Sequence, residues 1–138
     1  MIDLFTGKYR FLSNFFPRRV RYKGLSYRTA EHAYQCAKTE DVLDRQEIRR
    51  AETPGQAKRL GKKIVLREYW DDVKIEVMRE IVTSKFTEDD DLREDLLATG
   101  DQELVEGNTW GDTFWGVYKG EGENHLGHIL MEVRELLR

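Results

Sequence analysis

Arg28-Thr-Ala-Glu-His-Ala-Tyr-Gln-Cys-Ala-Lys38 is the stretch on which the reading of this chain turns. Thr29 has the hydroxyl of a helix N-cap, able to accept from a free amide of the first turn. Ala30, Ala33 and Ala37 recur at helical spacing and make one narrow face of small side chains, against which another element can pack closely. The other face carries Glu31, Gln35 and Lys38. Glu31 and Lys38 fall within about 20° of each other around the axis and about 10 Å apart along it. An acid, an amide and an amine therefore share one line of a short helix. Surface helices carry such triplets without chemical purpose, so their meaning depends on the rest of the chain.

On the N-terminal side, residues 1–28 read as short strands and turns. Phe5, Tyr9, Phe11, Phe15, Phe16 and Tyr22 crowd together, with Gly7 and Pro17 as breakers. In Phe11-Leu-Ser-Asn-Phe-Phe-Pro17, the turn formers Ser13 and Asn14 sit among large apolar groups. This is either a tight turn under an aromatic lid or a pocket loop in which Asn14 offers an amide to a ligand. Val20 to Lys23 alternates like a half-buried strand, and Gly24 turns the chain.

On the C-terminal side, Asp41 to Arg50 predicts a short helix. Thr53, Pro54 and Gln56 carry the signature of a helix start, with Gly61 as its stop. Lys62 and Lys63 read as solvated charge. The longest helical pattern runs from Leu66 to Phe86, with Trp70, Val73, Val77 and Ile81 on one face beside Met78. Periodicity places Trp70 in the core, although a pocket wall fits it too. Asp71, Asp72 and Lys85 suit the helix dipole. A short helix is expected around Leu92 to Ala98, ended by Gly100, and Glu103 to Glu106 is a candidate strand. The last element is an amphipathic helix that Asn124 can cap. Leu126, Ile129, Leu130, Val133, Leu136 and Leu137 form its inner stripe, and Glu132, Arg134 and Glu135 face outward.

Between these lies Gly107 to Gly127, with six glycines, Trp110, Trp115, Phe114 and Asp112. Glycine permits backbone geometries and close approach that other residues do not, and exposed tryptophans call for a reason. Either an aromatic-stapled hairpin or an active-site loop accounts for it, the latter with Asp112 aimed into a pocket and Trp115 as a stacking surface. The spacings match neither a dinucleotide-binding fingerprint nor a P-loop.

The whole chain, 138 residues with a formal net charge of -3, suits one domain with one core. No apolar run is long enough to span a bilayer and no leader pattern opens the chain, so the expectation is a soluble cytoplasmic protein without membrane partners. The single cysteine, Cys36, excludes an internal disulfide and a multi-cysteine zinc site, and His32, His125 and His128 show no ligand spacing. No metal or other cofactor is expected. The balance of charge exerts no global pull toward nucleic acid, although basic pairs occur at Arg18-Arg19, Arg49-Arg50 and Lys62-Lys63. No Ser-His-Asp pattern is present and nothing marks Cys36 as a nucleophile. Two carboxylates with aromatic walls suit a cationic transition state at a sugar carbon, where departure of a base needs nearby negative charge, a proton and a positioned water. A flat leaving base can stack on tryptophan, and a lysine can hold a phosphate or attack the anomeric carbon as an amine.

Five ordered segments give this chemistry a family. Phe11-Leu-Ser-Asn-Phe-Phe-Pro17, Glu31-His-Ala-Tyr-Gln35 with Lys38, Ala57-Lys-Arg-Leu-Gly61, Asp112-Thr-Phe-Trp-Gly116, and Gly122-Glu-Asn-His-Leu-Gly127 with Leu130-Met-Glu-Val-Arg134 resemble the motifs of the NADAR, or YbiA-like, family. The resemblance covers nearly the whole chain. It implies a compact, mostly helical α+β domain over residues 1–138, with short N-terminal strands and a Gly/Trp-rich loop before the C-terminal helix. It also implies N-glycosidase activity without a cofactor. Two substrate classes go with the family: phosphoribosylated aminopyrimidine intermediates of riboflavin biosynthesis, and ADP-ribose attached to guanine in nucleic acid. The family's catalytic roles map onto Glu31, Lys38 and Asp112. Substrate contacts map onto Trp115, Asn14 and Trp70, with Gly116 and Asn124 of the same motifs added.

The expected mechanism seats the ribose between the Glu31 helix and the Asp112 loop. One carboxylate assists attack at C1′ and the other protonates the base, while Lys38 either pairs with an acid and a substrate phosphate or forms a transient imine with the opened sugar. Two other classes compete: a module that binds ADP-ribose or a nucleotide without cleaving it, and an interaction protein with the Trp-rich loop as its partner surface.

Overall fold

The computed structural model describes residues 1–138 and is α+β, mostly helical. It divides into two compact units, one of residues 14–85 and the other of residues 1–13 with 86–138. No helix is long and apolar enough to cross a membrane.

The 14–85 unit opens with an antiparallel hairpin. β1 (Val20–Tyr22) pairs with β2 (Leu25–Tyr27) in the register Val20 to Tyr27 and Tyr22 to Leu25. Lys23 and Gly24 both have positive φ, 50° and 80°, which is the two-residue turn that matches strand twist. α1 (Ala30–Ala37) follows, and the Thr29 side chain caps it by accepting from the His32 amide. All eight residues of α1 are buried, including Glu31 and Gln35, so the helix has no solvent face. The small Ala30, Ala33 and Ala37 side chains permit this close wrapping by β1, β2, α2 and α3.

α2 (Val42–Arg50) is capped by the Asp41 side chain. α3 (Pro54–Gly61) is capped by Thr53, and Gln56 Oε1 accepts from the Glu52 amide, one residue before the cap itself. α3 does end at Gly61, as expected, but the glycine is not its cap. It is buried inside the last turn of α3, Lys62 is the C-cap, and Gly61's role is one of close packing. α4 (Trp70–Thr87) starts four residues later than the apolar pattern begins. The cause is local: Tyr69 has φ 59°, a left-handed backbone that no continuing helix can contain, while the Arg67 amide before it donates to the Lys38 carbonyl at 2.8 Å. Trp70 is buried and lies 5.4 Å from the Tyr34 ring.

In the other unit, Gly7–Leu12 forms a 3-10 helix where short strands were expected. Phe11 meets Phe86 edge-on at 6.4 Å. α5 (Asp90–Ala98) is capped by Asp89, and Gly100 follows in the left-handed region. The expected strand at Glu103 to Glu106 reduces to a single parallel bridge between Ile2 and Leu104. β3 (Gly107–Asn108) then pairs with β4 (Val117–Tyr118) in parallel, so the Gly/Trp segment is a crossover loop and not a hairpin.

α6 (His125–Leu136) closes the chain and corrects three expectations. Asn124 occupies the N-cap position at φ 54°, but its side chain does not cap. The amides of Glu123, Asn124, His125 and Leu126 instead donate to the carbonyls of Thr113, Gly116, Phe114 and Trp115. The loop's own backbone thus satisfies the free amides at the start of the helix. Arg134 faces inward at 6% exposure, donating to Thr99 Oγ1 at 2.9 Å and the Gln102 carbonyl at 2.8 Å, while Leu136 is 68% exposed. The arginine goes inside because α5's end and the following turn present oxygens that need a donor.

Arg134→Ala should therefore lower unfolding free energy by about 2–4 kcal/mol, since it strands buried acceptors of a charged donor. Leu136→Ala should change it by less than about 0.5 kcal/mol, as an exposed substitution does. Urea unfolding of the two variants checks the assignment.

Candidate functional site

The sequence-predicted residues divide between the two units. Asn14, Glu31, Lys38 and Trp70 belong to the 14–85 unit, and Asp112, Trp115, Gly116 and Asn124 to the other.

In the 14–85 unit the centre is Glu31, in the first turn of α1 and 7% exposed. A buried carboxylate needs donors. Gln35, one turn on, provides one: its Nε2 donates to Glu31 Oε1 at 2.8 Å. The Glu31 backbone amide donates to the Asn14 carbonyl at 3.1 Å, which ties the Phe11–Pro17 motif to the start of α1. Asn14 is itself buried, with Nδ2 directed at Met78 Sδ at 3.4 Å. Asn14 Oδ1 and Gln35 Oε1 are buried acceptors without a protein donor. Two buried carbonyl oxygens in this unit thus have unused accepting capacity.

Gln35 reaches this position because of Gly61. A methyl group at residue 61 would overlap Gln35 Oε1, so the α3 glycine creates the space in which the amide turns toward Glu31. Both Gln35 and Gly61 lie in motifs visible in the sequence. Neither is among the residues expected to act in the site, because their effect runs through a contact between two helices.

Lys38 is the C-cap of α1 and half-buried, with Nζ 5.4 Å from the centre of the Tyr34 ring. Burial holds its pKa below the ordinary lysine value. Glu31 pushes the other way, while Lys58, Lys62 and Lys74 add to the depression. Lys38 therefore shares its electrostatic neighbourhood with three other lysines and with the buried Glu31. His32 plays no part in it. Its Nε2 lies 2.9 Å from the Ala51 carbonyl, which only accepts, so Nε2 carries the proton and Nδ1 accepts from Thr29 Oγ1 at 2.7 Å. Burial lowers its pKa further, leaving a neutral structural imidazole.

In the other unit Asp112 is half-buried and folds its own loop. Its Oδ1 accepts from the Phe114 and Trp115 amides at 3.0 and 2.9 Å. Asn108 binds the Asp112 backbone from both sides, Oδ1 accepting from its amide at 2.9 Å and Nδ2 donating to its carbonyl at 2.8 Å. One carboxylate oxygen thus has a structural duty, and Oδ2 is the atom left for chemistry. Trp115 is half-buried in a cluster with Phe114 and His125, at centroid distances of 4.8 Å between Trp115 and Phe114 and 4.5 Å between Phe114 and His125. Trp110 is 60% exposed. Gly116 is buried, and a side chain there would run into the Glu106 carbonyl, so this residue serves backbone packing. Asn124 Oδ1 accepts from the Glu106 amide at 2.9 Å and Nδ2 donates to the Leu104 carbonyl at 3.0 Å. Backbone thus engages both ends of this amide, and Asn124 is buried.

Two outcomes check this geometry. Gly61→Ala should displace the Gln35 amide and lower unfolding free energy by about 1–3 kcal/mol, the scale of a lost hydrogen bond to a buried charge. The same change should cost much less in a Gln35→Ala background, where the space is already open, as a double-mutant cycle in urea will show. Glu31→Gln should lower the Lys38 pKa further, because the carboxylate is what raises it; ¹⁵N-detected titration of the lysine amines measures the direction.

The NADAR domain profile matches residues 4–138, covering both units. The chain is 43% identical over 136 residues to an N-glycosidase of Nostoc punctiforme, an alignment covering 94% of this chain and 86% of that protein. It is 41% identical over 128 residues to the N-glycosidase YbiA of Escherichia coli, covering 91% of this chain and 79% of the relative. A riboflavin biosynthesis protein of Vibrio vulnificus is 44% identical over 131 residues, 93% of this chain but only 35% of the longer protein. The solved structure of Escherichia coli YbiA superposes with a TM-score of 0.88 at 39% identity, covering 99% of this chain and 84% of that one. A buried Glu-Gln-Lys helix and an Asp-fastened Trp loop thus occur in a chain that belongs to the NADAR family.

Proposed function

We propose that this chain is an N-glycosidase that hydrolyses the bond between the anomeric carbon of a phosphorylated ribose and a base nitrogen, with a phosphoribosylated aminopyrimidine as the substrate class. The observation that carries the reading is the buried Glu31, held by Gln35 and electrostatically coupled to Lys38, which lies in turn in the field of Lys58, Lys62 and Lys74. The reading takes residues 1–138 as one domain, as the family match supports.

A carboxylate out of water stabilises positive charge strongly, because little solvent screens it. Glu31 accordingly stabilises the oxocarbenium-like carbon as the C1′–N bond breaks, or orients the water whose oxygen forms the new C1′–O bond. The departing base takes a proton. Asn14 Oδ1 and Gln35 Oε1 accept from ribose hydroxyls or ring amino groups, and the surrounding lysines suit a sugar phosphate. The depressed pKa of Lys38 favours a second route over a permanent ion pair: the neutral amine attacks C1′, the base leaves with a proton, and water hydrolyses the resulting imine. The family resemblance alone assigns the roles of second carboxylate to Asp112 and of stacking surface to Trp115. The names of the riboflavin-linked relatives favour the small-molecule substrate; ADP-ribosylated guanine in nucleic acid is the competing one.

Incubation with a ribosylated aminopyrimidine phosphate and, separately, an ADP-ribosylated guanine oligonucleotide, read by mass, decides the substrate. Release of ribose 5-phosphate is expected; release of ADP-ribose alone would move the assignment to nucleic acid. Glu31→Gln and Asp112→Asn should each reduce turnover by at least about a hundredfold with the fold intact. Near-normal turnover in both would overturn the reading.

The amine route has its own readout. Borohydride should trap a sugar adduct that Lys38→Ala abolishes, and kcat/KM should rise with pH through a pKa below the ordinary lysine value as the amine loses its proton. A rate that falls across that range, with no adduct, would assign Lys38 to charge pairing.

A further inference from the structure

The side of α1 turned away from Glu31, Gln35 and Lys38 carries a second pocket. It has a volume of about 330 Å³ and is lined by Tyr22, Lys23, Leu25, Tyr27, Cys36, Ala37, Arg45 and Arg67. Cys36 and Ala37 lie on the opposite side of the helix axis from the Glu31–Lys38 line, so this is a separate site and not an extension of the first. Buried Tyr27, Cys36 and Ala37 close its floor.

The lining contains three cations and no carboxylate. Lys23 leans toward Glu80, at 3.6 Å outside the pocket, which leaves the two guanidinium groups as the surplus charge. Arg45 uses Nε on the Thr39 carbonyl, and Arg67 uses one terminal nitrogen on the Ala37 carbonyl at a long 3.4 Å. Each guanidinium has further donors without a protein acceptor, in a planar fork suited to phosphate oxygens. The Tyr22 and Tyr27 hydroxyls also lack hydrogen-bond partners in the protein, and burial holds both phenols above their ordinary pKa, so they remain donors. The Cys36 thiol, pushed up to about 12 by burial, adds no negative charge. In a chain of net charge -3, a closed-floored pocket with two open guanidinium forks, two phenol donors and no acid is a local exception.

We propose that this pocket binds the terminal phosphate or diphosphate of a small molecule, with Arg45 and Arg67 clamping the anion and Tyr22 and Tyr27 donating to it. A volume of about 330 Å³ sits at the small end of ligand pockets. A terminal phosphate enters such a space from one side, whereas an internal phosphodiester has to leave it at both ends. The pocket is also joined to the first site by one residue. Arg67 lines it with its side chain while its backbone amide holds the Lys38 carbonyl, so occupancy bears on the end of α1 that positions Lys38.

Titration of the full chain with inorganic pyrophosphate and with AMP, followed by amide chemical shifts and calorimetry, tests this. The amides of Tyr27, Cys36 and Arg67 should shift with a common saturation curve. Arg45→Gln and Arg67→Gln should each weaken that curve by about tenfold or more, the scale of a charged hydrogen-bond pair, and Tyr22→Phe by about twofold to fivefold. Tyr22→Phe removes a single oxygen, so it reports on binding even where an arginine variant loses structure. Glu31→Gln should leave the curve unchanged, which separates this pocket from the glycosidase site and makes the outcome independent of that reading. Shifts that ignore all three pocket substitutions would overturn the proposal. So would competition by an oligonucleotide lacking terminal phosphates as strong as that by pyrophosphate, which would indicate a backbone diester as the ligand.

Discussion

A carboxylate removed from water must be met by a donor, and in the 14–85 unit that requirement organises the helices around α1. Glu31 is buried because every residue of α1 is buried. Gln35 answers it from one turn away, and Gln35 can turn inward only because Gly61 leaves room in the last turn of α3. The position of α3 is in turn set by Thr53 and Pro54 at its start. The far end of α1 is held by a different device, the Arg67 amide on the Lys38 carbonyl, and the left-handed Tyr69 then holds back α4 until Trp70. The acid and the amine are thus fixed at opposite ends of one short element, which is the positioning that the catalytic roles proposed for them require.

The other unit solves a similar problem with backbone alone. Four carbonyls of the Thr113–Gly116 loop receive the amides at the start of α6, so loop and helix form one hydrogen-bonded piece. Asp112 and Asn108 close that loop from the other side. Trp115 is presented by this frame and not by packing alone. The motif that the family resemblance singles out, Asp112-Thr-Phe-Trp-Gly116, is thus also the motif that folds the loop.

The residues that could be read in advance are those whose signals are local. Thr29, Asp41, Thr53 and Gly24 act within a few positions of themselves, and caps and turns appear where their chemistry calls for them. The α+β, mostly helical class came from the family resemblance, and the structure has it. What escaped depends on partners distant in the chain. Arg134 reads as an outward charge because the pattern of α6 cannot reveal that Thr99 and Gln102 offer oxygens inside. Gly61 reads as a stop because a glycine at a helix end has two uses, and only the Gln35 contact separates them. Glu31 and Gln35 read as a solvent-facing line because amphipathic periodicity assumes one wet face, and α1 has none. Asn124 reads as a cap because nothing in its neighbourhood announces that the Thr113–Gly116 carbonyls will do that work.

The burial of Cys36 has a practical consequence. Its thiol is the only one in the chain, it is 2% exposed, and its pKa stands at about 12. At neutral pH the thiolate is present on the order of one part in 10⁵, and the thiolate is the form that reacts with electrophiles and peroxide. The native fold is therefore silent toward maleimides and needs no reductant for storage. A cysteine introduced anywhere on the surface would take a fluorophore or spin label alone, and slow labelling of the parent chain under denaturant would report the fraction unfolded.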